Sequence, residues 1–73
     1  MEDTGTMQKD LTVRECEILR LAADGKTNPE IADILFISIH TVKAHICSII
    51  EKLNAKGRTH AVALGIKKGI IKL

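Results

Sequence analysis

Basic side chains, which bind polyanions, are concentrated in the second half of this 73-residue sequence. Residues 1–39 carry four bases against eight acids, a net charge of −4, whereas residues 40–73 carry seven bases against one acid, a net charge of +6. The overall charge of +2 hides this division. The second half is therefore a candidate nucleic-acid surface, although a solvated face that keeps a small protein in solution would carry the same charge.

Two other kinds of chemistry are disfavoured. His40, His45 and Cys47 are close in sequence, but on a helix His45 lies about 140° from His40 and Cys47 about 20° from it on the other side. They cannot converge on one ion, and a structural zinc site needs four ligands. Glu15 and Glu30 are explained by helix capping and the helix dipole, and neither a nucleophile nor a phosphate loop accompanies them. We expect no metal, no cofactor and no enzymatic activity.

Length and composition narrow the class of protein further. Seventy-three residues are enough for one compact unit and no second domain. A single Phe, with no Trp or Tyr, excludes a sheet that stacks unpaired bases on aromatic rings. The sequence shows no signal peptide and no apolar run near the roughly 20 residues that cross a bilayer. Two reduced cysteines, Cys16 and Cys47, fit a cytoplasmic protein with no membrane partner.

The elements that must position these residues begin after a polar segment, residues 1–10, which we predict to be a flexible tail. Thr12 and Glu15 have the spacing of a capping box and predict a first helix over residues 12–24. Gly25 is able to end this helix in the left-handed conformation. The apolar stripe of the helix shares a face with Glu15 and comprises Ile18, Leu19 and Ala22.

Two more start signals follow. Asn28 as N-cap, with Pro29 at the first helical position, predicts a short second helix, and Ser38 predicts the N-cap of a long third helix that ends near Leu53. The apolar residues of the third helix step by 4, 3 and 4, which is the spacing of one buried stripe: Val42, Ile46, Ile49 and Leu53.

A fourth helix is predicted after a turn over residues 54–57. Thr59 is its expected cap, and it should run through about Lys68 and end at Gly69. Gly65 inside it is costly relative to Ala unless another element approaches closely. The largely apolar C-terminal segment, residues 70–73, should pack back on the core. The sequence thus predicts an all-α fold, a four-helix bundle that contains a helix-turn-helix over residues 28–53.

The dimensions of DNA explain why a helix-turn-helix predicts DNA binding. The major groove of DNA is about 12 Å wide and admits one helix with its side chains. The second helix lies across the backbone in such motifs, and the exposed face of the third enters the groove. The basic half of the chain begins at this third helix, which agrees with that arrangement.

Three separated motifs in one register carry a family resemblance. They are Leu11-Thr12-x-Arg14-Glu15, then Gly25-Lys26-Thr27-Asn28-x-Glu30-Ile31-Ala32, then Ile37-Ser38-x-x-Thr41-Val42-Lys43-x-His45-x-x-x-Ile49-x-x-Lys52-Leu53. On these motifs, residues 11 to about 71 resemble the LuxR/FixJ-type (GerE-like) DNA-binding domain. The resemblance implies a four-helix effector domain of a bacterial transcription regulator, spanning residues 11–73, with the recognition helix over about 39–53. The fourth helix, about 60–68, commonly forms the dimer contact in that family.

The resemblance also implies which residues contact DNA. It puts Lys43 on base edges or nearby phosphate, and Ala44 and Cys47 at the other positions that face the groove. Cys47 departs from the polar or basic residue often found there, because a thiol is a weak donor. The residues implied near phosphates are Thr27, Asn28, Thr41, Lys52, Lys56 and Arg58.

The expected partners are therefore double-stranded DNA, a second copy of the chain, and RNA polymerase. A different class of function is a protein–protein interaction module that keeps the fold without binding DNA. The weak groove residues Ala44 and Cys47 favour that alternative, and the nearby bases oppose it. Met1 and the short tail suit a stand-alone regulator, and a longer regulator with a receiver or ligand-sensing domain would contain the same sequence.

Overall fold

The computed structural model describes residues 11–72, which form four α-helices: α1 (Val13–Ala23), α2 (Asn28–Leu35), α3 (Ile39–Leu53) and α4 (Arg58–Lys67). No strand occurs in this range. The predicted all-α fold is therefore confirmed. The predicted flexible tail over residues 1–10 lies outside the described residues.

α1 and α3 begin where the sequence predicts. The Thr12 hydroxyl accepts a hydrogen bond from the Glu15 amide at 3.1 Å, and Glu15 Oε1 accepts one from the Thr12 amide at 2.9 Å. The Ser38 hydroxyl accepts from the Thr41 amide at 3.0 Å. These side chains satisfy amides that have no partner inside the helix, and each cap stabilises its helix by about 1 kcal/mol.

The predicted N-cap of α2 is wrong by one residue. Thr27, rather than Asn28, is the N-cap: its hydroxyl accepts from the Glu30 amide at 3.3 Å, and Glu30 accepts from the Thr27 amide at 2.8 Å. Glu30 stands three residues after Thr27, as a capping box requires, and so Pro29 is the second helical residue. The hydrogen bond from the Thr27 amide lowers the pKa of Glu30 below its ordinary value. Because Thr27 is the cap, the side chain of Asn28 is available for another contact.

The predicted start of α4 is also wrong. The helix begins at Arg58, with Gly57 as its N-cap, and no side chain caps it. The Gly57 carbonyl already accepts the first helical hydrogen bond, from the Ala61 amide at 2.9 Å, so Thr59 lies inside the first turn. At the other end Gly69 takes the left-handed conformation at φ 75°, as expected of a residue that ends a helix.

One apolar core joins all four helices. The predicted stripe of α3 is confirmed, because Val42, Ile49 and Leu53 are buried and Ile46 packs against them. The C-terminal segment packs back as predicted through Ile71, which is 2% exposed. The other core side chains are Ile18, Leu19, Ile31, Ala32 and Ala61. Burying a large aliphatic side chain contributes roughly 1.5–3 kcal/mol, so α3 is held firmly by its inner face.

Gly65 is the point of closest approach inside α4. A Cβ atom at this position would lie 2.8 Å from Leu19 Cδ2 and 3.3 Å from Ile71 Cγ1. The close helix approach that the sequence predicts is therefore made with α1 and with the C-terminal segment of the same chain. Ala61 and Gly65 are both buried in the chain's own core and do not form part of the exposed surface of α4.

α2 and α3 are bent by 108° relative to each other, within the 90–120° range of a helix-turn-helix. The turn between them passes through Phe36, which has a left-handed backbone at φ 59° and a side chain that is 93% exposed. Within residues 11–72, no single helix is long and apolar enough to cross a membrane. Only α2 and α3 together reach that length and apolarity, and the bend separates them.

Candidate nucleic-acid interface

α3 presents an exposed face on the side away from its buried stripe. Lys43, Ala44 and Cys47 are all exposed, and their spacing of i, i+1 and i+4 puts them on one side of the helix. These are the three side chains expected to face the groove, and the structure brings them together on one surface. His40 and Glu51 are exposed before and after them, so this face runs for about three turns.

An open, basic depression lies beside this face, at the N-terminus of α2. It is lined by Lys26, Thr27, Asn28, Pro29, Ile39, Lys43 and Arg58. The N-terminus of a helix carries the positive end of the helix dipole. In α2 the Thr27 and Glu30 amides are used in the capping box and Pro29 has no N–H, which leaves the Asn28 amide. Together with three cationic side chains, this end of α2 forms a surface whose electrostatics favour an anion.

Arg58 is tied to the protein inside this depression. One terminal nitrogen, Nη1, donates to Asn28 Oδ1, and the other, Nη2, donates to the carbonyl oxygen of Lys26 at 2.7 Å. The side chain is half-buried. Two residues that the resemblance implies near phosphate, Asn28 and Arg58, are therefore bonded to each other.

Lys52 is likewise engaged inside the protein, in a cluster at the junction of α1 and α3. Its Nζ lies 2.9 Å from Glu15 Oε1, and Ser48 Oγ donates to Glu15 Oε2 at 2.7 Å. Glu15 is only 4% exposed, and its Oε1 also accepts from the Thr12 amide. A buried carboxylate is tolerated when it is paired and hydrogen-bonded, as this one is.

The pKa of Glu15 records the balance of these contacts. Burial of the carboxyl raises the pKa, but the hydrogen bonds from Lys52, Thr12 and Ser48 and the positive charge of Lys52 outweigh burial and lower the pKa from 4.5 to about 2. Glu15 is thus ionised throughout the physiological range. The ammonium of Lys52 has a fixed internal partner, so its predicted phosphate contact would compete with that ion pair.

The remaining predicted phosphate residues differ in their surroundings. Lys56 is exposed in the turn between α3 and α4, and its amide donates to His60 Nδ1 at 2.9 Å. Thr27, the N-cap of α2, is exposed. Thr41 is half-buried, and its Oγ1 shares a 2.8 Å hydrogen bond with Ser38 Oγ. The DNA contacts of all three stay predictions.

The residues considered for metal binding or catalysis do not form a site in the part of the chain that the structure describes. Over residues 11–72, no three His, Cys, Asp or Glu side chains are grouped to hold a metal ion. Cys16, which is half-buried, and Cys47, which is exposed, both carry free thiols. Glu15 and Glu30 are both in capping boxes at separate helix ends, as their sequence positions indicate.

Sequence reasoning missed the partners of Glu15, namely Ser48 and Lys52. A signal for them was present, because Glu15 shares a face with Ile18 and Leu19, and a carboxylate on an apolar face needs a partner when it is buried. Ser48 and Lys52 are four residues apart on α3 and lie on one face of that helix. The face of α3 that contacts Glu15 is determined by tertiary packing, and the local sequence pattern does not specify it.

Comparison with known proteins agrees with this geometry. The family description "Bacterial regulatory proteins, luxR family" matches residues 9–64. The uncharacterized transcriptional regulatory protein YvfU of Bacillus subtilis (strain 168) is 52% identical over 96% of this chain and 36% of its own length. The chain spans about a third of the length of the curated relatives it matches.

Two solved structures show the same fold. The transcription factor GerE superposes with a TM-score of 0.82 and 34% identity, over 88% of this chain and 97% of the GerE chain. A complex of Vibrio cholera VqmA with ligand and DNA superposes with a TM-score of 0.78 and 30% identity, over 94% of this chain and 30% of the VqmA chain. The helix-turn-helix described above is therefore the GerE-like one.

Proposed function

Because this chain belongs to the luxR family of bacterial regulatory proteins, we propose that it binds double-stranded DNA sequence-specifically and acts in transcription regulation. The observation that carries the proposal is the exposed face of α3, where Lys43, Ala44 and Cys47 lie beside the basic depression at α2. In this account α3 is the recognition helix and lies in the major groove.

The three side chains on α3 differ in what they offer to base edges. Lys43 is able to donate to guanine O6 and N7 or to a phosphate, and the Ala44 methyl group fits against a thymine methyl. The Cys47 thiol is a weak donor. Lys43 therefore supplies most of the polar base recognition on this face, with Ala44 and Cys47 contributing shape.

Phosphate contacts in this proposal come from the depression and the adjoining turn. The Asn28 amide at the N-terminus of α2 and the exposed side chains of Thr27 and Lys56 are the best placed for a direct contact. Asn28 also retains the donors of its side-chain amide, whereas the Thr41 hydroxyl is shared with Ser38 Oγ. Lys52 and Arg58 are bound within the protein, and neither is assigned a direct phosphate contact in this proposal.

The proposal includes a homodimer through α4 in the cytoplasm, with RNA polymerase as a further partner. Support for the dimer comes from the outer side of α4, where Ala63 is exposed and Ile66 is 38% exposed next to the half-buried Val62. A twofold dimer would bind two half-sites about one DNA turn, roughly 34–36 Å, apart. Several relatives of this chain are transcriptional regulatory proteins, which supports the regulatory role.

The experiment is selection of binding sites from a promoter library, followed by anisotropy titration of the chosen duplex at several salt concentrations. Lys43→Ala should weaken binding by about 1–3 kcal/mol on a matched site. Arg20→Ala is the matched control, since it removes the same charge at an exposed position beside Ile34 and Leu35, at the far end of α2 from the depression, and should have little effect. Absence of duplex binding at low salt, or indifference to Lys43→Ala, overturns the proposal.

A protein–protein interaction module is the second candidate. The limited hydrogen-bonding capacity of Ala44 and Cys47 favours it. The same titration decides between the two functions, because an interaction module would show neither a selected site nor the steep salt dependence of phosphate binding.

A further inference from the structure

Arg58 connects two distant parts of the fold. It is the first residue of α4, and it bonds to Lys26 and Asn28, the residues on either side of the α2 cap Thr27. These contacts span 32 and 30 residues of sequence. The guanidinium group thus ties the start of α4 to the start of α2.

The hydrogen-bonding geometry of Arg58 allows it to hold two segments of the chain in a fixed relative position. A guanidinium carries five donors in a fixed planar arrangement, and here its two terminal nitrogens point to two different acceptors of the same protein. Asn28 Oδ1 belongs to the first residue of α2, and the Lys26 carbonyl precedes its cap. Both acceptors therefore belong to the segment that supplies the Asn28 amide and the Thr27 side chain to the proposed phosphate site.

We propose that Arg58 is a positioning residue, which holds the first turn of α2 in the orientation that contacts DNA phosphate. It thereby couples α4, the proposed dimer helix, to the DNA surface. This role rests on the proposed function and differs from the direct phosphate contact that the family resemblance implies for Arg58. Its effect on DNA passes through Asn28 and the Lys26 carbonyl.

Salt dependence of DNA binding separates positioning from direct contact. Each phosphate contact contributes about 0.9 to the slope of log K against log salt on duplex DNA. Arg58→Ala should weaken binding by about tenfold with a salt slope close to that of the unmodified chain. Lys56→Ala, at an exposed lysine proposed to contact phosphate, is the reference for a lost phosphate contact and should reduce the slope by about 0.9. A slope reduced by about 0.9 in Arg58→Ala would show a direct phosphate contact and overturn the proposal.

Arg58→Lys is the sharper variant, because it keeps the charge and loses the planar pair of donors. A positioning residue predicts that Arg58→Lys binds DNA as weakly as Arg58→Ala. Binding equal to that of the unmodified chain would mean that charge alone matters, and the proposal fails.

A double substitution tests whether the effect passes through Asn28. If Arg58 acts by holding Asn28, the loss in Arg58→Ala with Asn28→Ala should be smaller than the product of the two single losses. Independent, fully multiplicative losses contradict the proposed route.

Hydrogen exchange in the free protein tests the brace without DNA. In Arg58→Lys the Glu30 and Ile31 amides in the first turn of α2 should exchange several-fold faster, whereas the Ile49 amide in the core of α3 keeps its rate. Unchanged exchange at Glu30 and Ile31, or equal acceleration at Ile49, overturns the positioning role. Failure of the unmodified chain to bind any duplex would instead remove the proposed function and leave this measurement decisive for the brace.

Discussion

The Lys52 ammonium lies 2.9 Å from Glu15 Oε1 and joins the last turn of α3 to the first turn of α1. Glu15 is nearly fully buried, and Ser48 donates to its other oxygen at 2.7 Å. This charge pair fixes the angle between α1 and α3, because separating the two helices would leave the buried Glu15 carboxylate without its cation. The face of α3 proposed to contact DNA is thus held from behind by this pair.

Loss of Lys52 should destabilise the fold strongly. Lys52→Met keeps the aliphatic stem and leaves a buried carboxylate without its cation, which costs about 3 kcal/mol or more. The measurement is urea unfolding at pH 7, with Lys56→Met as the matched control at an exposed lysine, where we expect a change within about 0.5 kcal/mol. Equal stability of the two variants would contradict the role of the pair.

The same cluster predicts a pH dependence of stability. The pKa of Glu15 is about 2 in the folded chain and 4.5 ordinarily, so between these values the unfolded state binds more protons than the folded state. The stabilisation is complete above about pH 5 and is lost as the pH falls toward 2, by an amount on the order of 3 kcal/mol. Glu15→Gln should be less stable at pH 7 and lose less on acidification. Parallel curves of unfolding free energy against pH for the two proteins would exclude Glu15 as the source.

Gly65→Ala should destabilise the fold although Ala is the better helix former. Propensity alone favours Ala by about 1 kcal/mol, but the new Cβ would meet Leu19 Cδ2 at 2.8 Å in a close-packed core. Overpacking a core costs about 1–3 kcal/mol against that gain, so we expect a net loss of up to about 2 kcal/mol in thermal unfolding. Ala63→Gly on the exposed side of the same helix is the comparison, and should lose about 1 kcal/mol through propensity alone. A gain in stability for Gly65→Ala would show that this approach is not tight.

Alkylation of Cys47 should block DNA binding. The thiol is exposed on the face of α3 proposed to enter the groove, and a maleimide adduct would add bulk where a helix already fills the available width. We expect a loss of more than about tenfold in affinity for a selected duplex after treatment. The Cys47→Ala variant, which still carries Cys16, should keep its affinity under the same treatment. Undiminished binding by the alkylated protein would place Cys47 away from the DNA.

Local patterns were sufficient to predict most of the fold. The caps Thr12 and Ser38 and the stripe of α3 depend on residues within one or two turns of each other, and the structure confirms them. The error at Asn28 arose because the adjacent Thr27 is also able to cap, whereas the error at Thr59 arose because a polar residue near a helix start need not cap it. At α2 the reciprocal bond from Glu30 selects Thr27, and α4 begins without any side-chain cap.

The candidate site was predictable in part. The exposure of Lys43, Ala44 and Cys47 follows from the position of the buried stripe on the same helix. The internal engagement of Lys52 and Arg58 does not follow from local sequence, because their partners lie 30 or more residues away. Basic residues that look equivalent in a charge count are therefore separated by tertiary packing into exposed groups and internal braces.

Binding of α3 in the major groove is tested most directly by an NMR titration of the isotopically labelled chain with a duplex chosen by selection. If α3 lies in the groove, the largest shift changes at saturation fall on residues 26–28 and on the exposed face of α3 from His40 to Cys47. Val13 and Glu17 on the exposed side of α1 should change little. Changes centred on α1, or none along α3, would contradict the claim that this helix lies in the groove.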